Sequence, residues 1–193
     1  MTRPVVAAFD FDGTITTRDT LLPFLQLVVG RAAVVRALAR SLPRLAAALR
    51  DRDGRDRAKE RLLEHCLAGT RVEDVEAAAR RYAPMIDMRE DVLKMLRGHL
   101  AKGDTVVIVS ASPTPYVRAA ASLLGVRDVV ATDLEAVDGA LTGRYATANC
   151  RAEEKAQRLR EWLAGRGDVE LHAYGNSVDD EPMLALSDHA VRV

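Results

Sequence analysis

The sequence predicts an α/β fold, with a Rossmann-like parallel sheet as its core and an all-helical cap inserted after the first strand. Two observations support this prediction. Short apolar runs alternate with amphipathic helical patterns, which is typical of parallel strands joined by crossover helices. Helical patterns also fill the stretch from about residue 20 to 100, which is too long for one crossover. We therefore expect a core domain of residues 1–16 and 100–193 and a cap domain of residues 17–99.

The first strand and the cap helices come first along the chain. Residues 5–9 form a short apolar run that ends at a Gly-containing turn, which indicates a buried strand. Gly30, Pro43 and the Gly69-Thr70 pair interrupt the helical patterns that follow, and we expect helices to end near these positions. The predicted helices are 21–49 with its two breaks, 55–67, 72–82 and 87–102.

The remaining elements alternate between strands and helices. Residues 105–109 are continuous and β-branched, as in a strand that is buried on both faces of a parallel sheet. Asp138-Gly139 marks the turn of a hairpin. The predicted strands are 105–109, 129–131, 134–137, 140–145, 171–175 and 190–193, and the predicted helices are 114–124, 151–163 and a short one ending at Met183.

Composition and spacing exclude several classes of protein. The chain has 193 residues and a formal net charge of zero, so no global charge favours a nucleic-acid partner. Cys66 and Cys150 lack the spacing of a disulfide framework or a zinc site, and we expect packed thiols of a reducing compartment. The sequence begins with no recognisable signal peptide and contains no transmembrane span, so we expect a cytoplasmic protein. The histidines also lack ligand spacing, and we expect structural roles for His65, His99, His172 and His189.

Two carboxylates, Asp10 and Asp12, stand at the end of the first predicted strand. Because one residue separates them, they point roughly the same way, which is unfavourable unless a cation lies between them. In a parallel sheet, ligands bind where strands end. Further polar residues at such positions are Ser110, Asn176 and Asp180, with Lys155 near the start of its helix. Together they predict an enzyme with neighbouring cation and anion sites.

These residues resemble the four ordered motifs of the haloacid dehalogenase (HAD) superfamily, and the resemblance covers nearly the whole chain. The loop 10–14 is similar to the first motif, Ser110 to the second, Lys155 to the third and the segment 175–180 to the fourth. Residues 14–20, 141–144 and 149–155 are similar to subfamily IB, the phosphoserine phosphatase-like group. The resemblance implies the HAD fold and Mg²⁺-dependent hydrolysis of a small phosphate monoester.

The resemblance also implies a role for each site residue. Asp10 would attack phosphorus and form an aspartyl-phosphate, and Asp12 would act as general acid and base. Lys155 would neutralise charge beside Asp10. The implied Mg²⁺ ligands are Asp10, Asp12 through its backbone carbonyl, Asn176 and Asp180, and the implied phosphate-binding residues are Gly13, Thr14, Ser110 and Ala111.

Two positions depart from the family pattern. Asn176 stands where phosphoserine phosphatase-like sequences commonly have a metal-binding Asp. A neutral amide oxygen attracts Mg²⁺ less strongly than a carboxylate, so we expect weaker metal binding. A catalytically quiet protein that only binds a phosphate ligand therefore stays open as an alternative. Ala152 stands where relatives often have Gly, which predicts a slightly altered loop.

Two features of the cap concern the substrate. Asp19 occupies the position of an acidic residue that faces the substrate's amine in phosphoserine phosphatase-like sequences; alternatively, it caps the following helix. Between residues 20 and 50 there is no acidic residue, while five arginines occur there: Arg31, Arg36, Arg40, Arg44 and Arg50. This segment either rests on an anionic membrane, with a lipid phosphate such as phosphatidylglycerophosphate as substrate, or is a solvated face.

Overall fold

The computed structural model describes residues 3–48 and 52–193, with side chains for all of these except 41–48, 52 and 53. In chain order the strands are β1 (Val5–Phe9), β2 (Thr105–Pro113), β3 (Asp128–Thr132), β4 (Leu134–Val137), β5 (Ala140–Tyr145), β6 (Glu170–Gly175) and β7 (His189–Arg192). Five of them form a parallel sheet in the order β3-β2-β1-β6-β7, and β4 and β5 form an antiparallel hairpin. The predicted α/β class is confirmed.

Helices cover both faces of this sheet and fill the segment between β1 and β2. They are α1 (Leu21–Val29), α2 (Arg31–Ala48), α3 (Arg52–Leu67), α4 (Val72–Tyr82), α5 (Glu90–Lys102), α6 (Thr114–Leu123), α7 (Glu153–Leu163) and α8 (Glu181–Leu184). Gly30 separates α1 from α2, as predicted. The predicted break at Pro43 is wrong, because α2 continues through it. A proline removes one backbone donor and can kink a helix without ending it.

The two faces of the sheet pack against different helices. Side chains of a strand alternate between faces, and in β1 Ala7 and Phe9 join one apolar cluster while Val6 and Ala8 join the other. The first cluster extends through α5 and α6 into α1, α3 and α4 of the inserted segment. The second lies under α7 and α8. The division into a core domain of residues 1–16 and 100–193 and a cap of residues 17–99 stays a prediction.

Strand register places the ends of the three central strands side by side. Phe9 at the end of β1 pairs with Ile108 of β2 and Tyr174 of β6. The residues that follow these partners therefore meet at the carboxyl edge of the sheet, where ligands bind in open α/β sheets. β2 is longer than predicted, since it continues to Pro113 with an irregularity after Ser110.

No single helix in the described ranges is both long and apolar enough to cross a membrane. By length and composition alone, α1 and the segment Arg31–Arg40 could together cross a membrane, but a bend of 119° separates them.

Candidate active site

A pocket of about 340 Å³ opens at the carboxyl edge of the sheet, between the strand ends and α3. Most of the predicted site residues meet on its wall. They are Asp10, Asp12, Asp19, Ser110, Ala111, Lys155, Asn176 and Asp180. Gly13 and Thr14 do not line the pocket and lie in the loop between β1 and α1. The size of the pocket suits a small ligand.

The centre of the site is a buried lysine between two carboxylates. Lys155 Nζ donates to Asp10 Oδ1 at 2.6 Å and to Asp180 Oδ1 at 2.5 Å, and all three side chains are buried. Asp10 is fixed by its own backbone, because its N–H donates to the carbonyl of Tyr174 on β6. Within the described residues, Asp10 Oδ2 has no hydrogen-bond partner. One oxygen of Asp10 is thus held by an ammonium while the other stays available.

The pKa values of Asp10 and Asp180 shift in opposite directions, although both carboxylates pair with Lys155. Burial raises the pKa of Asp10 to about 6, against the lowering effect of Lys155. Burial acts on Asp180 in the same sense, but Lys155 and hydrogen bonds from Ser177 outweigh it and hold its pKa below the usual value. Burial alone would lower the pKa of Lys155, yet the two carboxylates raise it above its ordinary value. Lys155 therefore stays charged at neutral pH.

The carboxylate of Asp12 is held by hydroxyl groups from two elements. Thr20 donates to Asp12 Oδ1 through its backbone N–H at 2.8 Å and through Oγ1 at 2.5 Å. Ser112 Oγ donates to Asp12 Oδ2. Burial raises the pKa of Asp12, and these hydrogen bonds only partly offset the effect. An aspartate with a raised pKa is suited to carry a proton.

Gly13 gives the loop after β1 its shape. Its φ is +78°, a value that favours glycine, and a Cβ on it would lie 2.3 Å from Asn176 Nδ2. Its N–H donates to Thr16 Oγ1 at 3.1 Å, inside the loop. Thr14 is buried, and its hydroxyl has no hydrogen-bond partner among the described residues. The close approach of Gly13 to Asn176 brings this loop against the segment that follows β6.

Only oxygen atoms are available as metal ligands beside Asp10. Asp12 uses both carboxylate oxygens in hydrogen bonds, so its backbone carbonyl is its natural donor. Both oxygens of Asp180 are also engaged, by Lys155 and by the Ser177 hydroxyl. Asp10 Oδ2, the Asp12 carbonyl and the amide oxygen of Asn176 remain. A set of hard oxygen donors with few charges fits Mg²⁺, which keeps several water ligands.

Ser110, Ala111 and Asp19 form other parts of the wall. Ser110 is buried, and its Oγ accepts the N–H of Ser112 at 3.0 Å. The Ala111 carbonyl accepts a hydrogen bond from Lys59. Asp19 Oδ1 accepts the N–H of Leu21 at 2.9 Å, so this residue caps α1 and also lines the pocket. This position is compatible with a helix-capping role for Asp19 and with a role in facing the substrate's amine.

Several polar residues of the pocket were not identified from the sequence. Lys59 on α3 donates to the Ala111 carbonyl at 2.7 Å, and burial lowers its pKa to about 8 against the opposite effect of three nearby aspartates. Arg151 pairs with Asp179 at 2.8 Å and with Asp56 on α3 at 3.2 Å. The helical spacing of Arg55, Asp56 and Lys59 places them near one face of α3, but charged helix faces usually point to solvent. These three residues line the pocket only because of how α3 packs on the core.

Ala152 has an unusual backbone conformation next to the site. Its φ of 51° and ψ of −123° lie in a region that glycine adopts far more readily than alanine. The residue directly precedes α7, whose first turn carries Lys155. The position where relatives often have glycine therefore keeps a glycine-like backbone here.

Comparisons with known proteins find similar sequences. A family model described as haloacid dehalogenase-like hydrolase matches residues 7–185. The chain is 38% identical over 191 residues to Protein CicA of Caulobacter vibrioides, covering 96% of this chain and 84% of CicA. It is 32% identical over 197 residues to "Probable phosphatase Rv3661" of Mycobacterium tuberculosis, covering 95% and 67%.

A solved structure is similar to the whole fold. The probable phosphoserine phosphatase from Vibrio cholerae superposes with a TM-score of 0.70 and 19% identity, covering 96% of this chain and 54% of that one. At this identity the likeness shows the fold. The predicted resemblance to the haloacid dehalogenase superfamily is confirmed by the family model.

Proposed function

The chain belongs to the haloacid dehalogenase-like hydrolases, and we propose that it is a Mg²⁺-dependent phosphatase that hydrolyses a small phosphate monoester through an aspartyl-phosphate on Asp10. One observation carries the proposal. Asp10 is buried with Oδ1 fixed by Lys155, while Oδ2 has no partner within the described residues. A buried carboxylate with one immobilised and one available oxygen is suited to attack a phosphorus atom in the adjoining pocket.

Asp12 is placed to move the proton in both half-reactions. When Asp10 Oδ2 bonds to phosphorus, the phosphorus–oxygen bond of the ester breaks and the leaving alkoxide takes a proton from Asp12. In the second step Asp12 removes a proton from water, which attacks phosphorus and releases Asp10 and inorganic phosphate. Thr20 and Ser112 hold the Asp12 carboxylate in one orientation throughout.

The side chains around Asp10 carry too little positive charge to attract a phosphate on their own. Lys155 supplies one positive charge to the carboxylates of Asp10 and Asp180. These three side chains together keep a net negative charge, which repels phosphate. Mg²⁺ held at this site would supply the missing positive charge and polarise a phosphoryl oxygen. We propose Asp10, the Asp12 carbonyl and Asn176 as its protein ligands. Asp180, whose oxygens are engaged, would act by positioning Lys155 and the loop 176–180. We propose that Ser110, Ala111, Gly13 and Thr14 shape the phosphate site.

Charged residues from the inserted segment suggest the chemistry of the substrate. Asp19 and the α3 residues Arg55 and Lys59 line the pocket opposite the strand ends. An acidic group near two basic groups matches a substrate whose far end carries both an amine and an acidic group, as in an amino-acid phosphate. We therefore propose residues 17–99 as a specificity-determining cap on a core of residues 1–16 and 100–193.

We propose that the enzyme acts in the cytoplasm. Cys66 and Cys150 are both free and buried, which is typical of proteins in reducing compartments. The formal net charge of zero favours no nucleic-acid partner. A small phosphorylated molecule is then the expected partner.

The test is phosphate release from para-nitrophenyl phosphate and a panel of phosphomonoesters, with Mg²⁺ or with a chelator. We expect Mg²⁺-dependent turnover that Asp10→Asn abolishes. Asp138→Asn is the matched control, because Asp138 lies in the exposed hairpin turn, where asparagine also tolerates the positive φ. Turnover that survives Asp10→Asn would overturn the mechanism.

Asn176→Asp separates a weak enzyme from a protein that only binds phosphate ligands. A carboxylate at this position adds a negative charge to the metal site without changing the side-chain shape. We expect the Mg²⁺ concentration for half-maximal activity to fall about tenfold. If neither the wild type nor Asn176→Asp turns over any substrate, the quiet-binder alternative is favoured.

A lipid phosphate is the second candidate substrate, and the surface of α1 and α2 favours it. Leu22, Leu27 and Val35 are exposed by 36%, 37% and 56%. Exposed arginines accompany them at positions 31, 36 and 40, whereas the side chain of Arg44 and all of Arg50 lie outside the described residues. Apolar and basic side chains on one helical hairpin suit the surface of an anionic membrane.

Vesicle co-sedimentation tests the membrane candidate. We expect binding to phosphatidylglycerol vesicles, but not to phosphatidylcholine vesicles, and release by salt because the attraction is electrostatic. Arg36→Glu should weaken binding, while Arg97→Glu on α5 serves as a charge-matched control. Equal sedimentation of both variants would remove the support for this candidate.

A further inference from the structure

Two histidines and a glutamate meet on strands β6 and β7, outside the candidate active site. His172 of β6 pairs directly with His189 of β7 in the parallel register, although the two are distant in sequence. Glu170 lies two residues before His172 and therefore projects from the same face of the sheet. Strand pairing thus brings three metal-ligating side chains together.

The three side chains converge on one point. His172 Nε2 lies 3.1 Å and His189 Nε2 lies 3.0 Å from the same atom, Glu170 Oε1. All three ligand atoms lie within 4.8 Å of one another. Ligand atoms around a tetrahedral Zn²⁺, with bonds of about 2.0–2.1 Å, are about 3.3 Å apart. Small side-chain movements would therefore be enough to admit an ion.

The surroundings of the cluster suit a bound ion with open positions. His189 is more than half exposed and stands on β7, the last strand of the sheet, so solvent reaches one side of the cluster. On the other side the ring of His172 contacts that of His99 at 5.2 Å. His99 is itself held by Asp104 at 2.7 Å and by the Tyr174 hydroxyl at 2.8 Å. The cluster is therefore supported from the core and open to water.

We propose that Glu170, His172 and His189 form a site for a divalent transition-metal ion of the Zn²⁺ type, separate from the Mg²⁺ site. Two imidazoles and one carboxylate with open positions favour Zn²⁺, Ni²⁺ or Cu²⁺ over Mg²⁺, which prefers oxygen ligands alone. The cluster lies about 13 Å from Asn176 along β6, counted at about 3.3 Å per residue. The two sites therefore differ in both ligand chemistry and place.

The test is a Zn²⁺ titration of the tag-free full chain in excess Mg²⁺, with a chromophoric indicator as competitor. Excess Mg²⁺ competes with Zn²⁺ at the carboxylate site, and the variants named next assign the Zn²⁺ that binds at the histidine cluster. We expect one Zn²⁺ per chain, and at least about tenfold weaker binding in His189→Asn and in Glu170→Gln. His65→Asn is the control, because His65 is exposed on α3 and its ring hydrogen-bonds to the Arg61 carbonyl of the same helix.

Two further measurements keep the test decisive. Circular dichroism should show that His189→Asn and Glu170→Gln fold like the wild type, since both positions are partly or largely exposed. Co²⁺ in place of Zn²⁺ should give visible d–d absorption that His189→Asn removes and His65→Asn keeps. The proposal fails if the wild type binds no Zn²⁺, or if folded His189→Asn binds it as tightly as the wild type.

Discussion

Ala152 holds a backbone conformation that alanine seldom adopts. An alanine at φ 51° and ψ −123° carries strain of roughly 1–3 kcal/mol that glycine would not have. The strain is located at the start of α7, three residues before the lysine that holds Asp10. The site geometry is therefore maintained at some cost in folding stability.

Ala152→Gly should stabilise the protein. Relief of strain should exceed the greater unfolded-state entropy of glycine, which is roughly 0.4–1 kcal/mol, and leave a gain of about 1 kcal/mol in the free energy of unfolding. Urea denaturation followed by circular dichroism measures the change. Ala39→Gly, at an exposed position inside α2, should instead lose about 0.5–1 kcal/mol. Equal losses in both variants would contradict the strain argument.

Lys59 should make substrate binding dependent on pH. Burial lowers its pKa to about 8, with Asp12, Asp19 and Asp56 opposing the shift, so its charge is present below pH 8 and lost above it. If the ammonium holds the acidic end of the substrate, KM should rise roughly tenfold between about pH 7 and 9, with a smaller change in kcat.

Lys59→Met should raise KM and flatten its pH profile. Lys94→Met, on the exposed face of α5, should keep the wild-type profile. Steady-state kinetics on the best substrate of the panel gives both parameters. A pH profile of KM in Lys59→Met that is as steep as in the wild type would exclude the role.

At the scale of elements, the hairpin of β4 and β5 positions α3. Gly143 of β5 has a φ of +81°, and a Cβ on it would lie 2.3 Å from the Cα of Glu64 on α3. Tyr145 N–H also donates to Glu60 Oε1 at 2.9 Å. The hairpin therefore determines the distance between α3 and the sheet. It thereby positions Arg55, Asp56 and Lys59 in the pocket.

Gly143→Ala should displace α3 and lower kcat/KM. Two backbones cannot move apart without breaking contacts of buried side chains, so we also expect a loss of about 2 kcal/mol or more in stability. Gly139→Ala is the matched control: its φ is +77°, but nothing lies within 4 Å of the added Cβ. Backbone strain alone would affect both variants equally, whereas close packing affects only Gly143→Ala. Unfolding midpoints and kcat/KM of the two variants decide between these causes.

Periodicity was sufficient to predict most elements. β1, α4 and both hairpin strands have the predicted bounds, and the other strands differ by a few residues at their ends. β2 differs most, because its end carries Ser110 and Ser112 in extended backbone, and polar residues after an apolar run usually indicate a loop. The predicted break at Pro43 was wrong for a related reason. Proline is a local helix-breaking signal, but α2 continues through it as part of a long helix.

The strand-end residues of the site were predictable because strand order determines their neighbours. Asp10 follows β1, Asn176 follows β6 and Ser110 lies in the last part of β2. These three strands are adjacent, so the proximity of the residues follows from the parallel sheet alone. Lys59 and the cluster of Glu170, His172 and His189 were not predictable. Their positions depend on how α3 packs on the core and on which strand β7 joins. The spacing of residues along the sequence indicates neither the packing of α3 nor the strand that β7 joins.

At the scale of the whole molecule, the inserted helices and the sheet share one apolar interior. The same cluster of buried side chains contains Phe9 of β1, Leu63 of α3 and Tyr116 of α6. Polar contacts add to it, since Arg151 bridges Asp56 on α3 and Asp179 of the loop after β6. Two parts that share an interior cannot unfold separately without exposing it.

The inserted helices and the sheet should therefore unfold in one transition. Trp162, the only tryptophan, lies on α7 against the face of the sheet that is remote from the inserted segment, so its fluorescence reports the core. Far-ultraviolet circular dichroism is dominated by helices, and α1 to α5 all lie between β1 and β2. We expect the two probes to give the same urea midpoint. Midpoints that differ by more than about 0.5 M would show that the inserted helices melt independently, and the shared interior would then contribute little to cohesion.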